Sequence, residues 1–224
     1  MRLGIKAGIC SAMLLVAFGV ISGSAQAAEL HCSVEPCRYT VKPDGTGKTA
    51  HQVFILKNSA GESVSVTCNR LSASGTTSTK TASKLTLQGV KYEECTANGS
   101  PVIIHSEGCH EIHIYFGSNT IEYTCTATFR ILITFTETGC VASFGAQGPL
   151  KGVTFHNIGE EAKTTTEVTV EFKVPGIAMK LEGTKAQCFM DPAKTPITGE
   201  YSTGNVLLTS ETDPGGVMAN AWWA

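Results

Sequence analysis

The sequence predicts an all-β protein: an antiparallel β-sandwich, with a jelly roll as one version, braced by disulfides after a signal peptide is cleaved. Three observations predict it. Short segments alternate apolar and polar residues with a period of two, and turn residues recur between them. No window longer than ten residues carries an apolar helical stripe. Eight cysteines follow the amino-terminal segment, an even number that is typical of a disulfide framework in an exported chain.

The amino terminus has the order of a secretory signal peptide. Arg2 and Lys6 precede an apolar run that is too short for a comfortable membrane span, and small residues follow. We therefore expect residues 1–27 to be removed and residues 28–224 to form one β-sandwich domain. Residues 28–48 are a candidate for a loosely packed extension of that domain. The mature chain is expected to be secreted and to contain no membrane span.

Charge and composition exclude one class of partner. Without Arg2 and Lys6, 15 of the 17 basic residues remain against 19 acidic ones, so the formal net charge moves from −2 to −4. A nucleic acid backbone is an improbable partner for such a surface, and we expect none. Charged residues make up only 16% of the chain, which favours strands whose outer faces carry hydroxyl groups.

Residues 90–140 organise the middle of the chain because they contain nearly the same pattern twice. In residues 90–109 an aromatic strand leads into Cys-Thr-Ala, a β-branched strand follows, and a Gly-Cys turn ends the copy. Residues 121–140 repeat that order. The repeat predicts a doubled antiparallel unit.

Before this unit, the chain predicts two short strands and a loop. Residues 52–57 form an apolar strand, and residues 63–69 alternate so that Val64, Val66 and Cys68 share one face. Residues 72–83, almost all Ser, Thr, Gly and Ala, are interpreted as a mobile surface loop. Gly89 is expected to form a β-bulge.

Whether apolar residues fall at odd or even positions constrains how the strands of the second copy are connected. Every odd position from 121 to 135 is apolar, which predicts one long bent strand or a turn with an odd number of loop residues near 127–129. Residues 150–157 and 167–174 are expected to pair as a hairpin. Pro175-Gly176 should then kink the chain, and residues 200–210 supply the last strand or two.

The cysteines allow 105 pairings, among which strand geometry gives a preference. If the doubled unit is an up-and-down meander, Cys109 and Cys125 flank one hairpin while Cys95 and Cys140 lie at the other end. This favours bonds Cys109–Cys125 and Cys95–Cys140 over the sequential pairs Cys95–Cys109 and Cys125–Cys140. Bonds Cys32–Cys37 and Cys68–Cys188 follow by elimination.

Histidines suggest the one candidate metal site. A tight turn around Glu107-Gly108 would set His105 opposite His110 on adjacent strands, where the pair could bind copper or zinc. His113 should point to the opposite face, because this segment alternates as a strand. Ordinary surface histidines beside a disulfide are the competing interpretation, and no other cofactor is expected.

Catalytic patterns are sparse. The chain has no Gly-x-Ser-x-Gly elbow, and the acidic neighbours Glu93-Glu94 should point to opposite faces of a strand, so no catalytic residue is assigned. The terminal pair Trp222-Trp223 could be a stacking platform for a sugar or a protein partner, although such tails commonly fold onto an edge.

A further ordered set of cysteines and turn residues resembles a group of exported bacterial proteins to which no activity is assigned. The set comprises Tyr92, Cys95, Gly108-Cys109, Cys125, Gly139-Cys140, Leu150, Val153, Phe155, Asn157, Val174-Pro175-Gly176-Ile177, Cys188 and Gly199-Glu200-Tyr201. The resemblance implies export and an all-β fold, and it implies no functional residue.

These observations lead to one functional hypothesis and two rivals. We expect a secreted binding or structural protein without catalysis, with extracellular carbohydrate or protein as the partner. The rivals are a secreted, carbohydrate-active hydrolase that takes carboxylates or histidines from separated strands, and a copper- or zinc-binding protein at His105 and His110.

Overall fold

The computed structural model describes residues 28–43, 52–106, 108–109, 111–126, 128–157, 167–204, 206–212 and 219–223. The predicted signal peptide, residues 1–27, lies outside them. The predicted all-β, antiparallel, disulfide-braced fold is confirmed: strands make up most of the described chain, and its one helix is a single turn.

The described strands are β1 (Leu30–Cys32), β2 (Cys37–Pro43), β3 (Gln52–Lys57), β4 (Ser63–Thr77), β5 (Thr81–Ala82), β6 (Lys84–Ala97), β7 (Ser100–His105), β8 (Glu111–Tyr115), β9 (Thr120–Thr124), β10 (Ile131–Phe135), β11 (Val141–Phe144), β12 (Gln147–Lys151), β13 (Val153–Asn157), β14 (Glu167–Glu182), β15 (Ile197–Ser202), β16 (Val206–Thr212) and β17 (Ala221–Trp223). Helix α1 (Lys185–Cys188) begins after Thr184, whose hydroxyl caps it.

Antiparallel pairing closes on itself through eight strands. The order runs β6-β7-β10-β11-β14-β15-β3-β4, and β4 pairs with β6 again. Buried apolar side chains form one core cluster within this sheet, as in a β-sandwich. Phe54 of β3 and Phe144 of β11 belong to this cluster, with ring centroids 6.5 Å apart. Burial of each such ring contributes about 1.5–3 kcal/mol.

The long strands β4, β6 and β14 continue into a second half of the sheet, where they meet other partners. There β6 pairs with β8, β8 with β9, and β9 with β12. On the other side β4 pairs with β2, β2 with β16, and β16 with β14. In the described residues no ladder joins β12 to β13, so this half stays open there.

The predicted turn at Glu107-Gly108 is wrong, because the chain does not reverse there. Strands β7 and β8 run in the same direction along β6, one after the other, and residues 106–110 interrupt them. His105 is therefore paired with Leu132 of β10 and not with His110. His110 itself lies outside the described residues.

The parity of residues 121–135 has the same explanation. Strands β9 and β10 run in one direction alongside β8 and β7, and residues 125–130 interrupt them. In both strands the odd-numbered side chains point inward. This agrees with the prediction of one long bent strand, except that the strand is interrupted where the bend was expected. The doubled unit is wrong, because β6 and β7 form a hairpin whereas β9 and β10 do not pair.

Two of the four predicted disulfides are confirmed. Cys109–Cys125 flanks the hairpin β8–β9, and Cys32–Cys37 closes a short loop. The other bonds are Cys68–Cys95 and Cys140–Cys188, so the predicted pairs Cys95–Cys140 and Cys68–Cys188 are wrong. Strand β4 places Cys68 directly opposite Cys95, with Cα atoms 3.9 Å apart. Cys140 is separated from β6 by β7 and β10.

Segments rich in small residues are more ordered than expected. The predicted loop 72–83 is wrong: β4 extends through Thr77, and β5 follows. Inward residues at alternate positions, with Gly75 against Leu85 and Leu87, give this stretch a core face. Within the candidate extension 28–48, β2 pairs on both sides and buries Tyr39. Its residues 44–48 lie outside the described chain.

Other local predictions are confirmed. The register of β4 against β6 shifts between Ser72 and Ser74, opposite Gly89, which has a φ of +62°. Residues 153–157 pair with β14 as the predicted hairpin, whereas Leu150 and Lys151 lie in β12 and pair with β9. Strand β14 shifts register between Val174 and Ile177, across Pro175-Gly176. Residues 200–210 contribute to β15 and β16, and β17 follows them.

Candidate functional site

Three adjacent strand positions of the sheet are each interrupted at the same height, and we call this region the waist. Residues 106–110 separate β7 from β8, residues 125–130 separate β9 from β10, and residues 145–146 separate β11 from β12. Since β7, β10 and β11 are adjacent, the breaks lie side by side. At the waist, Thr126, Thr128, Phe129 and Ala146 are exposed between the strand ends.

The first two breaks are joined covalently. Cys109 and Cys125 form a disulfide across them. The backbone N–H of Thr126 donates a hydrogen bond of 2.8 Å to the Gly108 carbonyl, so the two segments are also linked by their backbones. The bond and the hydrogen bond hold the breaks in one relative position.

Phe129 packs against the segments that this disulfide and hydrogen bond link. Its backbone N–H donates to the Thr126 carbonyl at 3.1 Å, and its side chain is 50% exposed. The ring lies against Gly108, where an added Cβ would fall 2.0 Å from the Phe129 Cγ. Gly108 also has a φ of +68°, a conformation that favours glycine. Glycine is therefore required here, and it gives the exposed ring a fixed seat.

Phe129 borders a surface depression of about 370 Å³, which we call the waist groove. Its lining consists of Thr128, Phe129, Arg130, Ser143, Phe144, Gly145, Ala146, Ala178, Met179 and Lys180. Phe144 and Met179 lie at the bottom with only 2% and 8% of their surface exposed. The volume falls within the range of small-molecule sites, about 300–1,000 Å³.

On the far side of the groove, the side chain of Gln147 forms hydrogen bonds to β14 at the position where a neighbouring strand would otherwise pair. Beyond Ser143, β11 leaves β14, and Gln147 fills the vacated ladder position. Its Oε1 accepts a hydrogen bond of 2.8 Å from the Ala178 N–H, and its Nε2 donates to the Ala178 carbonyl at 3.5 Å. The edge of β14 is thus fixed even where its neighbour is missing.

The groove lining is cationic. Among the described residues that line the groove, Arg130 and Lys180 are the charged ones, and neither is part of an ion pair in that part of the chain. The Arg130 stem passes over Gly145, with its Cγ 3.9 Å from where a Cβ would be. Both charges belong to a chain whose formal net charge is −2, so they make a local positive field on an acidic protein.

His105 borders a second depression, of about 350 Å³, where β6 and β7 separate. Ser106 Oγ donates to the Val90 carbonyl at 3.1 Å and closes its lower end. Cross-strand pairing places His105, Leu132, Ser143 and Lys180 in one row across four strands. His105 borders the second depression and Lys180 lines the waist groove, while Ser143 between them is 4% exposed.

The described residues include no group of three or more His, Cys, Asp or Glu that could hold a metal ion. His113 points outward, where its Nδ1 lies 2.9 Å from Thr86 Oγ1 and its Nε2 lies 3.7 Å from Glu111 Oε2. The structure therefore gives His105 a groove position. Copper or zinc binding with His110, which lies outside the described chain, stays a prediction.

Carboxylates in the described chain serve in surface pairs and turns. The prediction that Glu93 and Glu94 point to opposite faces is wrong: both contact Arg70, at 3.7 and 3.4 Å, because the backbone at Glu94 has a φ of +54°, which interrupts the alternation of β6. The ammonium of Lys185 and the N–H of Asp191 lower the pKa of Glu62 to about 2. Such a carboxylate holds no proton to donate near neutral pH, and it fastens the segment after α1 to the turn before β4.

The polar groups inside the core include tyrosine hydroxyls. Tyr201 donates to Gln52 Oε1. Burial raises the pKa of Tyr92, Tyr123 and Tyr201 above the usual range, so these hydroxyls stay neutral. The cavity beside Tyr92 and Tyr201 measures about 20 Å³, has an apolar lining, and has room for about one water molecule. It is too small for a ligand.

The tail tryptophans lie on β17, which pairs with β1 so that Trp222 is opposite His31 and Trp223 is opposite Leu30. Their use as a stacking platform stays a prediction. Phe129, Arg130 and Lys180 were missed as site residues. The signal for Phe129 was its position at the end of the expected break near 127–129, and alternation placed Lys180 on the outer face.

Comparison with models of protein families, with curated proteins and with solved structures finds no match to this chain. Within the described residues, no helix has the length and apolar character needed to cross a membrane. Four disulfides are typical of an oxidising environment outside the cytosol.

Proposed function

We propose that this protein is an exported, disulfide-stabilised binding protein that takes a ligand into the waist groove without changing it chemically. The observation that carries the proposal is the contact of Phe129 with Gly108 beside the two cationic side chains, Arg130 and Lys180, that line the same groove. A ring fixed before binding loses little conformational entropy when a ligand covers it, which increases affinity.

Export is supported by two independent features. Residues 1–27 have the charged, apolar and small-residue order of a signal peptide. All eight cysteines beyond them are paired in disulfides. Bonds of this number form and persist in oxidising compartments, and the cytosol keeps thiols reduced. A secreted location for the mature chain is thus part of the proposal.

The test is nuclear magnetic resonance of the isotope-labelled mature chain with three probes: a galacturonate oligomer, a maltose oligomer and an oligoglutamate peptide. We expect at least one probe to shift the amide signals of residues 128–130, 143–146 and 178–180. Phe129→Ala should remove the shifts. Phe189→Ala is the matched control, because Phe189 is also exposed, at 39%, and lies outside the groove.

Chemical analysis of the probes completes the test. Each probe should be recovered unchanged after prolonged incubation with the protein. Shifts centred on another surface, shifts that persist in Phe129→Ala, or no shift with any of the three probes would refute the groove as the binding site. Cleavage of a probe would refute the absence of catalysis and favour the hydrolase.

A further inference from the structure

We infer that the ligand of the waist groove is an acidic saccharide, whose sugar ring lies on Phe129 while a carboxylate meets Arg130 and Lys180. The inference rests on the proposed function and names the ligand class of that same site. Three properties of the groove point to this class: its charge, its aromatic rim, and its open, partly polar shape.

Charge comes first. Arg130 and Lys180 line one depression, and no carboxylate is among the described residues that line it with them. A guanidinium presents its donors in a fork that matches a carboxylate, and an ammonium adds a second charge. A neutral ligand would gain little from these two positive charges, whereas an anion would be attracted by both. The complementary ligand is therefore negatively charged.

The aromatic rim comes second. Phe129 offers a half-exposed ring without a polar group of its own, and the missing side chain at Gly108 leaves room for that ring to pack there. Such a face gains free energy when it is covered by an apolar surface. The C–H face of a pyranose ring supplies a surface of this kind on a molecule that otherwise carries hydroxyls.

The shape of the groove separates a sugar from a fatty acid. Its deepest apolar residues, Phe144 and Met179, are already almost fully buried, so an aliphatic chain would gain little by covering them. The lining also includes Gly145 and Ala146, which have little or no side chain, and the hydroxyl-bearing residue Thr128. A ligand with several hydroxyls can form hydrogen bonds with such walls, whereas an aliphatic chain cannot.

We infer the length of the ligand from the row formed by His105, Leu132, Ser143 and Lys180. Lys180 and His105 are the two ends of this row, and three interstrand spacings of about 4.8 Å separate them, about 14 Å in total. A chain of several sugar units reaches from the waist groove to the His105 depression, and a single unit does not. We therefore expect an oligomer to bind more tightly than a monomer.

Calorimetry with tetragalacturonate and its methyl ester tests the inference, because esterification removes the charge and keeps the sugar rings. We expect the acid to bind about tenfold or more tightly than the ester, the factor for losing one charge-assisted contact. Arg130→Gln and Lys180→Gln should each weaken the acid several-fold. Lys173→Gln is the matched control, an exposed cation on the same strand and outside the groove. Circular dichroism verifies that each variant is folded.

The remaining outcomes separate this inference from the proposed function. Equal binding of acid and ester, lost in Phe129→Ala, would overturn the acidic ligand and leave the groove as a binding site. Binding of oligoglutamate in place of tetragalacturonate, dependent on Arg130 and Lys180, would overturn the saccharide and identify an acidic peptide. If neither binds in a way that depends on Phe129, the acidic ligand is wrong, and if the maltose oligomer also fails to bind, the groove is not a binding site.

Discussion

Gly108→Ala is the substitution that tests most directly how the waist is built. A methyl group there would lie 2.0, 2.4 and 2.6 Å from the Cγ, Cβ and Cδ1 of Phe129, so the aromatic ring must leave its seat. The backbone also has a φ of +68°, which costs an alanine about 1 kcal/mol relative to glycine. Losing the contact with a half-exposed ring adds about 1 kcal/mol. We expect the free energy of unfolding to fall by about 2 kcal/mol.

A double-mutant cycle separates the two contributions. In a Phe129→Ala background the ring is absent, so Gly108→Ala should cost only the backbone contribution, and the coupling energy should be about 1 kcal/mol. Gly61→Ala is the matched control: its φ is +84° and nothing lies within 4 Å of the added methyl group. Urea unfolding monitored by circular dichroism measures all four variants of the cycle and the control. An identical cost of Gly108→Ala in both backgrounds would contradict the seating of Phe129.

Two further predictions concern other parts of the fold. Glu62→Gln should lower stability at neutral pH, because the folded state favours the ionised carboxylate. The urea midpoints of the wild type and the variant should converge as the pH falls from the ordinary carboxyl pKa through about 2. A difference between the midpoints that stays constant with pH would contradict the role of the charge. Replacing both cysteines of Cys140–Cys188, which spans 48 residues, should cost about 4 kcal/mol, against about 2 kcal/mol for Cys32–Cys37, which spans 5. Equal losses in unfolding free energy would show that loop length does not set the stabilisation.

The sequence predicts strands well because alternation is a local property. Val64, Val66 and the odd residues of β9 and β10 point inward as the period of two requires. Strand order is a different matter, since it depends on which distant segment lies alongside. Nothing near Cys95 in the sequence shows that β4 runs beside β6, and for that reason its disulfide partner, Cys68, was missed.

The same difference between local patterns, which the sequence shows, and distant pairings, which it does not, applies to the candidate site. His105 was recognised by its residue type, and the structure places it at the edge of a groove. Lys180 and Arg130 are 50 positions apart, and an alternating pattern shows only that each faces outward. Their meeting depends on β11, which lies between β10 and β14 at the waist. No local signal encodes that neighbour.

The position of the disulfides adds an argument for the waist as the functional part. Cys68–Cys95 joins two residues within an intact ladder, where backbone hydrogen bonds already hold the strands together. Cys109–Cys125 instead lies where two ladders are broken, and closing its 16-residue loop contributes about 3 kcal/mol. The fold thus gives up backbone pairing at one level of the sheet and holds the gap by a covalent bond and by Gly108. Local departures from regular structure that are held this firmly are expected where a protein does its work, because a continuous strand would be the more stable solution.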